Sequence, residues 1–98
     1  MRPNKDKDQK VDVIRDLVVE MRELVGWTQH QTTAYAGVAT NTLGNWERGK
    51  SRPTRANQTL LCTTLLKEIR EHYGEHAARE FRDRLAQAGI TGIAVFPR

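Results

Sequence analysis

Three glycines, at positions 26, 37 and 49, cut the middle of this 98-residue chain into two segments that read as short helices of two or three turns. Gly26-Trp27-Thr28-Gln29 opens the first segment, Gly37-Val38 joins the two, and Trp46-Glu47-Arg48-Gly49-Lys50 closes the second. A tight glycine turn between two short helices fixes how they cross, so the spacing dictates which side chains are buried and which are displayed. The outer face of the second helix carries no charge until Arg48.

The flanking sequence supplies a framework for this pair. Between Asp12 and Val25, the residues Ile14, Leu17, Val18, Met21, Leu24 and Val25 recur at three and four, which predicts a helix with one apolar stripe, ended by Gly26. Thr28 followed by Gln31 matches a capping box at the head of the second helix, with Trp27 packing back as a hydrophobic anchor. That helix is expected to run to Tyr35 or Ala36, with Gly37 making the turn and Val38 buried in it. A third helix is expected over residues 40–48, with Ala39, Leu43 and Trp46 toward the core and Thr40, Asn41, Gly44 and Asn45 on the other side. After the basic loop Lys50-Ser51-Arg52-Pro53, Thr54 caps a fourth helix with the stripe Leu60, Leu61, Leu65, Leu66 and Ile69. Beyond Gly74, the residues Ala78, Phe81, Leu85 and Ala88 mark a fifth, ended by Gly89. The stretch Ile90 to Pro97 is apolar and partly β-branched, and fits a short strand, a packed tail or an edge that pairs with its twin. The expected class is all-α: a polar, disordered tail over residues 1–10, a helical domain over 11–73, and a C-terminal helix with a short extended tail over 74–98.

Charge locates the surface that matters. The net charge is +4, yet residues 26–55 hold Arg48, Lys50, Arg52 and Arg55 against Glu47 alone, while residues 11–25 hold two arginines against four acids. A basic patch over the two short helices, beside an acidic segment, is the footprint of phosphate contact. A chain of 98 residues with 38% hydrophobic side chains has room for one small core and little for an elaborate enzyme site. Cys62, the single cysteine, lies in the apolar run Leu60-Leu61-Cys62 and reads as a core residue in a reducing, cytoplasmic setting. No run approaches the length of a membrane span, and Met1 to Lys10 has no apolar signal-peptide centre.

The segment Arg22 to Pro53 resembles the Cro/C1, Xre-type helix-turn-helix family of phage-repressor-like transcriptional regulators. The matching residues are Arg22, Gly26, Thr28-Gln29, Ala36-Gly37-Val38, Thr42-Leu43, Trp46-Glu47-Arg48-Gly49-Lys50 and Arg52-Pro53. The resemblance implies a lambda-repressor-like bundle of four to five helices whose third helix enters the major groove of double-stranded DNA. It also assigns roles. Thr40, Asn41, Thr42 and Asn45 take the groove-facing places, and asparagine is suited to adenine through two hydrogen bonds. Thr28 and Gln29 contact the DNA backbone at the head of helix 2, and Lys50, Arg52 and Arg55 neutralise phosphates. Arg22 and Glu47 occupy the positions of an ion pair that ties helix 1 to the end of helix 3.

The chain departs from the family pattern at three places. Thr32 and Thr33 stand where leucine and alanine are usual, Ala39 replaces the serine-type cap of helix 3, and Gly44 sits inside the reading helix, where glycine costs about 1 kcal/mol relative to alanine. Gly44 reflects either a close approach of backbone to DNA or drift. The resemblance points to a regulator, most often a repressor in this family, binding a palindromic operator as a homodimer, with residues 77–88 and 90–96 as the dimer surface or as part of the monomer's own core. The alternative is an antitoxin whose residues 76–98 capture a toxin or another protein partner. Metal or hydrolytic chemistry has only His72 and His76 to draw on, with Gly74 between them, and no cofactor or metal is expected.

Overall fold

The computed structural model describes residues 12–93, which form five helices in chain order: α1 (Val13–Val25), α2 (Gln29–Ala36), α3 (Asn41–Glu47), α4 (Arg55–Tyr73) and α5 (Glu75–Gln87). No strand occurs among the described residues. The class is all-α, as the periodicity predicts. The tail expected over residues 1–10 and the segment after Ile93 lie outside the described residues.

Local chemistry sets the helix boundaries. Asp12 caps α1 by accepting the Arg15 N–H at 3.1 Å, and Gly26 ends it at φ 81°, where a side chain would be strained. The capping box of α2 is complete, with Thr28 Oγ1 accepting from Gln31 N at 3.0 Å and Thr28 N donating to Gln31 Oε1 at 2.8 Å. Thr54 Oγ1 accepts from Asn57 N at 3.2 Å and so starts α4. The helix α3 begins differently, because Thr40 precedes it with helical backbone angles and no side-chain cap.

One core serves the whole described chain. Leu61, Cys62, Leu65, Leu66 and Ile69 run down the buried side of α4, met by Ile14, Leu17, Val18 and Met21 of α1, Leu43 and Trp46 of α3, and Ala78, Phe81 and Leu85 of α5. Ile90 and Ile93 are buried in the same cluster, so the chain after α5 is a packed tail rather than a strand up to Ile93. Three expected core positions fall elsewhere. Ala39 is exposed because α3 starts only at Asn41, which leaves Ala39 ahead of the helical stripe. Leu60 is 44% exposed because the three-and-four spacing of α4 runs through Gln58, Leu61 and Cys62 and rotates position 60 toward solvent. Leu24, 37% exposed, lies at the edge of its stripe, where its carbonyl accepts from Tyr73 Oη at 3.0 Å.

The two threonines of α2 are buried without leaving a hydroxyl stranded. Thr32 Oγ1 donates to Thr28 O at 2.8 Å, and Thr33 Oγ1 reaches Gln29 O at 3.2 Å and His30 O at 3.0 Å, so each hydroxyl uses a carbonyl of the preceding turn. Trp27 packs against the core as expected of an anchor, with its ring 4.7 Å from that of Tyr35. Burial pushes the Cys62 thiol up to about 12, which keeps it protonated and inert inside the bundle.

Trp46 needs a partner for its one polar atom, and Asp12 provides it. The buried indole Nε1 donates to Asp12 Oδ2 at 2.8 Å, while Asp12 Oδ1 takes the Arg15 N–H and Arg52 Nη2, the latter at 3.2 Å. Burial alone would raise the Asp12 pKa, but the Trp46 and Arg15 hydrogen bonds and the charges of Arg52 and Arg15 outweigh it and hold the carboxyl below its ordinary value of 3.8. A folded-state pKa below the unfolded one adds stability that is present above the unfolded value and lost as pH falls through the folded value. Thermal unfolding across pH is therefore expected to show Asp12→Asn less stable than wild type near neutrality, with the gap closing once pH drops below 3.8. A gap that stays constant down to strong acid would show that the carboxylate charge contributes nothing.

Candidate nucleic-acid interface

The end of α3 is clamped to α1 by a two-pronged ion pair. Arg22 Nε donates to Glu47 Oε2 at 2.8 Å and Nη2 to Glu47 Oε1 at 3.0 Å, and the third nitrogen, Nη1, donates to Trp27 O at 3.0 Å. The side chains are only 16% and 12% exposed, so the pair is shielded from solvent and both charges are compensated. One guanidinium thus joins α1, the loop into α2 and the last turn of α3.

Gln29, at the head of α2, belongs to the same cluster. Its Nε2 donates to Glu47 Oε1 at 2.8 Å, and its Oε1 lies 3.0 Å from where a Cβ on residue 44 would stand. The sequence placed Gln29 outward as a phosphate contact; the structure turns its amide inward onto Glu47, because the carboxylate has acceptor capacity left beside the arginine. Gly44 is corrected with it. The residue is buried rather than displayed, and its missing side chain makes room for Gln29, while Arg48 Nη1 lies at ordinary contact distance, 3.4 Å, from the same Cβ position. The close approach that glycine permits is therefore within the protein, between α2 and α3.

With one side of α3 anchored in this way, the opposite side lines a shallow groove of about 380 Å³. Thr40 and Asn41 are exposed there, Thr42 and Asn45 half-buried, and the far wall is Ser51, Arg52, Pro53, Thr54 and Asn57. All four residues assigned to base reading are thus brought together. Lys50 is exposed in the adjoining loop, and Arg52 flanks the groove with its guanidinium steadied by Asp12. Thr28 is exposed at the head of α2, its Oγ1 engaged in the capping box.

Arg55 departs from this arrangement. Its Nη1 donates to Gly89 O at 3.3 Å, so it reaches to the chain just after α5 and does not line the groove. Sequence reasoning missed Asn57 and Ser51, although the cap at Thr54 was a usable signal: a first turn starting there places Asn57 next to the preceding loop. It also left Arg48 without a role, whereas Arg48 Nη2 donates to Asn45 Oδ1 at 2.8 Å. The two histidines do not come together as a pair. His72 and His76 lie on α4 and α5 to either side of Gly74, facing Glu68 at 2.8 Å and Glu80 at 3.3 Å respectively. No group of three or more metal-ligating side chains occurs among the described residues, and no helix among them is long and apolar enough to cross a membrane.

A family model described as helix-turn-helix matches residues 18–65, from the middle of α1 to the middle of α4. No curated protein and no solved structure gives a significant match.

Two measurements test the clamp. Arg22→Met leaves Glu47 shielded with only Gln29 as partner and is expected to cost about 3 kcal/mol in denaturant unfolding, most of it recovered in Arg22→Met/Glu47→Leu; equal losses in the single and double variants would show that the cost does not come from leaving Glu47 uncompensated. Gly44→Ala gains about 1 kcal/mol of helix propensity but presses its Cβ on the Gln29 amide at 3.0 Å, so the single substitution is expected to fall short of that gain. In a Gln29→Ala background the same change is expected to stabilise, and effects that add to within about 0.5 kcal/mol would contradict the contact.

Proposed function

Since residues 18–65 are a helix-turn-helix of the Cro/C1 type, within a lambda-repressor-like bundle of a DNA-binding transcriptional regulator, we propose that the protein is a sequence-specific repressor that reads an inverted-repeat operator as a homodimer. The observation that carries this reading is the face of α3: four uncharged polar side chains, Thr40, Asn41, Thr42 and Asn45, beside the cations of Lys50 and Arg52, on a helix held from behind by the Arg22–Glu47 pair. Short polar groups reach base edges without requiring a charge to be desolvated, and flanking cations draw in phosphates regardless of sequence.

In this reading Asn41 and Asn45 make the principal base contacts, with Thr40 and Thr42 alongside. Lys50 and Arg52 contact the backbone, joined by Thr28, Ser51 and Asn57 as uncharged donors. Gln29 acts one step back, by fixing the end of α3. Residues 12–73 do the reading, and residues 74–93 complete the fold.

A homodimer follows from reach. One such helix covers only a few base pairs, and two copies centred about 34–36 Å apart on one face of the duplex combine their binding energies. The apolar side of α5, Ile90 and Ile93 pack into the monomer's own core, which favours that one of the two roles open to residues 77–88 and 90–96, of which 94–96 lie outside the described residues.

Binding to the DNA upstream of its own coding region, followed by footprinting and by titration against salt, tests the division of roles. Asn45→Ala is expected to lose about 1–3 kcal/mol on the preferred duplex and little on a scrambled one. Lys50→Ala should weaken both alike and lower the slope of log K against log salt by roughly one. Identical behaviour of the two variants would remove the distinction between base and backbone contacts, and two footprints half a helical turn out of phase would exclude the proposed dimer.

A further inference from the structure

Arg48 follows Glu47 at the end of α3 but, unlike it, faces solvent. Its guanidinium is laid back along the helix: Nη2 donates to Asn45 Oδ1 at 2.8 Å, and Nη1 passes the position where a Cβ on residue 44 would stand at 3.4 Å. This brings a cation against the amide of a groove-lining asparagine. An asparagine with a free amide suits adenine, since Oδ1 accepts from the base N6 while Nδ2 donates to N7. Asn45 is placed otherwise. With a guanidinium N–H on Oδ1, that oxygen keeps one lone pair beside a cation, and the groups that the two residues offer together are chiefly the donors of the Asn45 NH2 and the other Arg48 N–H bonds. The major-groove edge with two adjacent acceptors is that of guanine, through N7 and O6.

We propose that Arg48 is a specificity-determining residue that, by holding Asn45 Oδ1, makes the Asn45–Arg48 pair select guanine in place of the adenine an unpaired asparagine would prefer. The inference rests on α3 being the DNA-reading helix. Arginine suits this role because its planar fork presents separate N–H groups to the amide and the base in a fixed geometry; a lysine at position 48 would keep the charge and lose that fixed geometry.

Selection of bound duplexes from a randomised pool tests this on the full chain, using wild type, Arg48→Met, Arg48→Lys and Asn45→Ala, each checked for an unchanged helical spectrum. Wild type is expected to enrich guanine at one position of each half-site by roughly tenfold over adenine. Arg48→Met should turn that position toward adenine and leave the others as they were, Arg48→Lys should lose the guanine preference while keeping general affinity, and Asn45→Ala should erase selection at the same position. If wild type selects a sequence but the Arg48 variants only weaken binding to every duplex, Arg48 is a phosphate contact and the proposal is overturned. Enrichment of adenine by wild type at the position that Asn45→Ala erases overturns it equally. A wild-type protein that enriches nothing overturns the DNA-reading assignment of α3 and this inference with it.

Discussion

The fold turns on one shielded carboxylate. Glu47 receives two bonds from Arg22 and one from Gln29, and Arg22 spends its remaining nitrogen on the carbonyl of Trp27. Helix α3 has only seven residues and no side-chain cap at its start, so its own backbone bonds are too few to hold its orientation. The cluster supplies that orientation from the other end. A buried pair of this kind adds modest net stability over an apolar replacement, and its value lies in geometry: the fork of Arg22 allows one placement of Glu47, and hence one rotation of the helix that carries it.

A second polar tie works from the opposite side of α3. Asp12 caps α1, satisfies the indole of Trp46 and steadies Arg52, so the first residue of the bundle is coupled to a core tryptophan and to the loop that walls the groove. Between Glu47 and Asp12, both neighbours in the last turn of α3 are held by side chains from or beside α1. The polar groups left for solvent are those on the groove side.

Much of this was legible in the sequence because it depends on spacing. The stripe of α1, the Thr28–Gln31 box, the turn at Gly37 and the cap at Thr54 follow from residue type and interval, the pairing of Arg22 with Glu47 was implied by the family resemblance alone, and the structure reproduces them all. What escaped were choices between partners that share a chemistry. Gln29 had phosphate and carboxylate as equally suitable acceptors, and only the position of Glu47 decides between them. Arg55 is as basic as Lys50, yet a carbonyl at Gly89, distant in sequence, takes it away from the groove. Gly44 was left open between a close approach of backbone to DNA and drift, and what the structure places against it is Gln29 of the neighbouring helix.

The burial of Ile90 and Ile93 reaches beyond packing. The stretch matched by the helix-turn-helix pattern ends halfway along α4, whereas the apolar side of that helix is closed by α5 and by these two isoleucines. The pattern therefore does not delimit a transplantable cassette. Grafted elsewhere as residues 18–65 alone, it would carry a bare greasy flank, and any lineage that exchanges the C-terminal portion must supply a replacement lid for the reader at the same step.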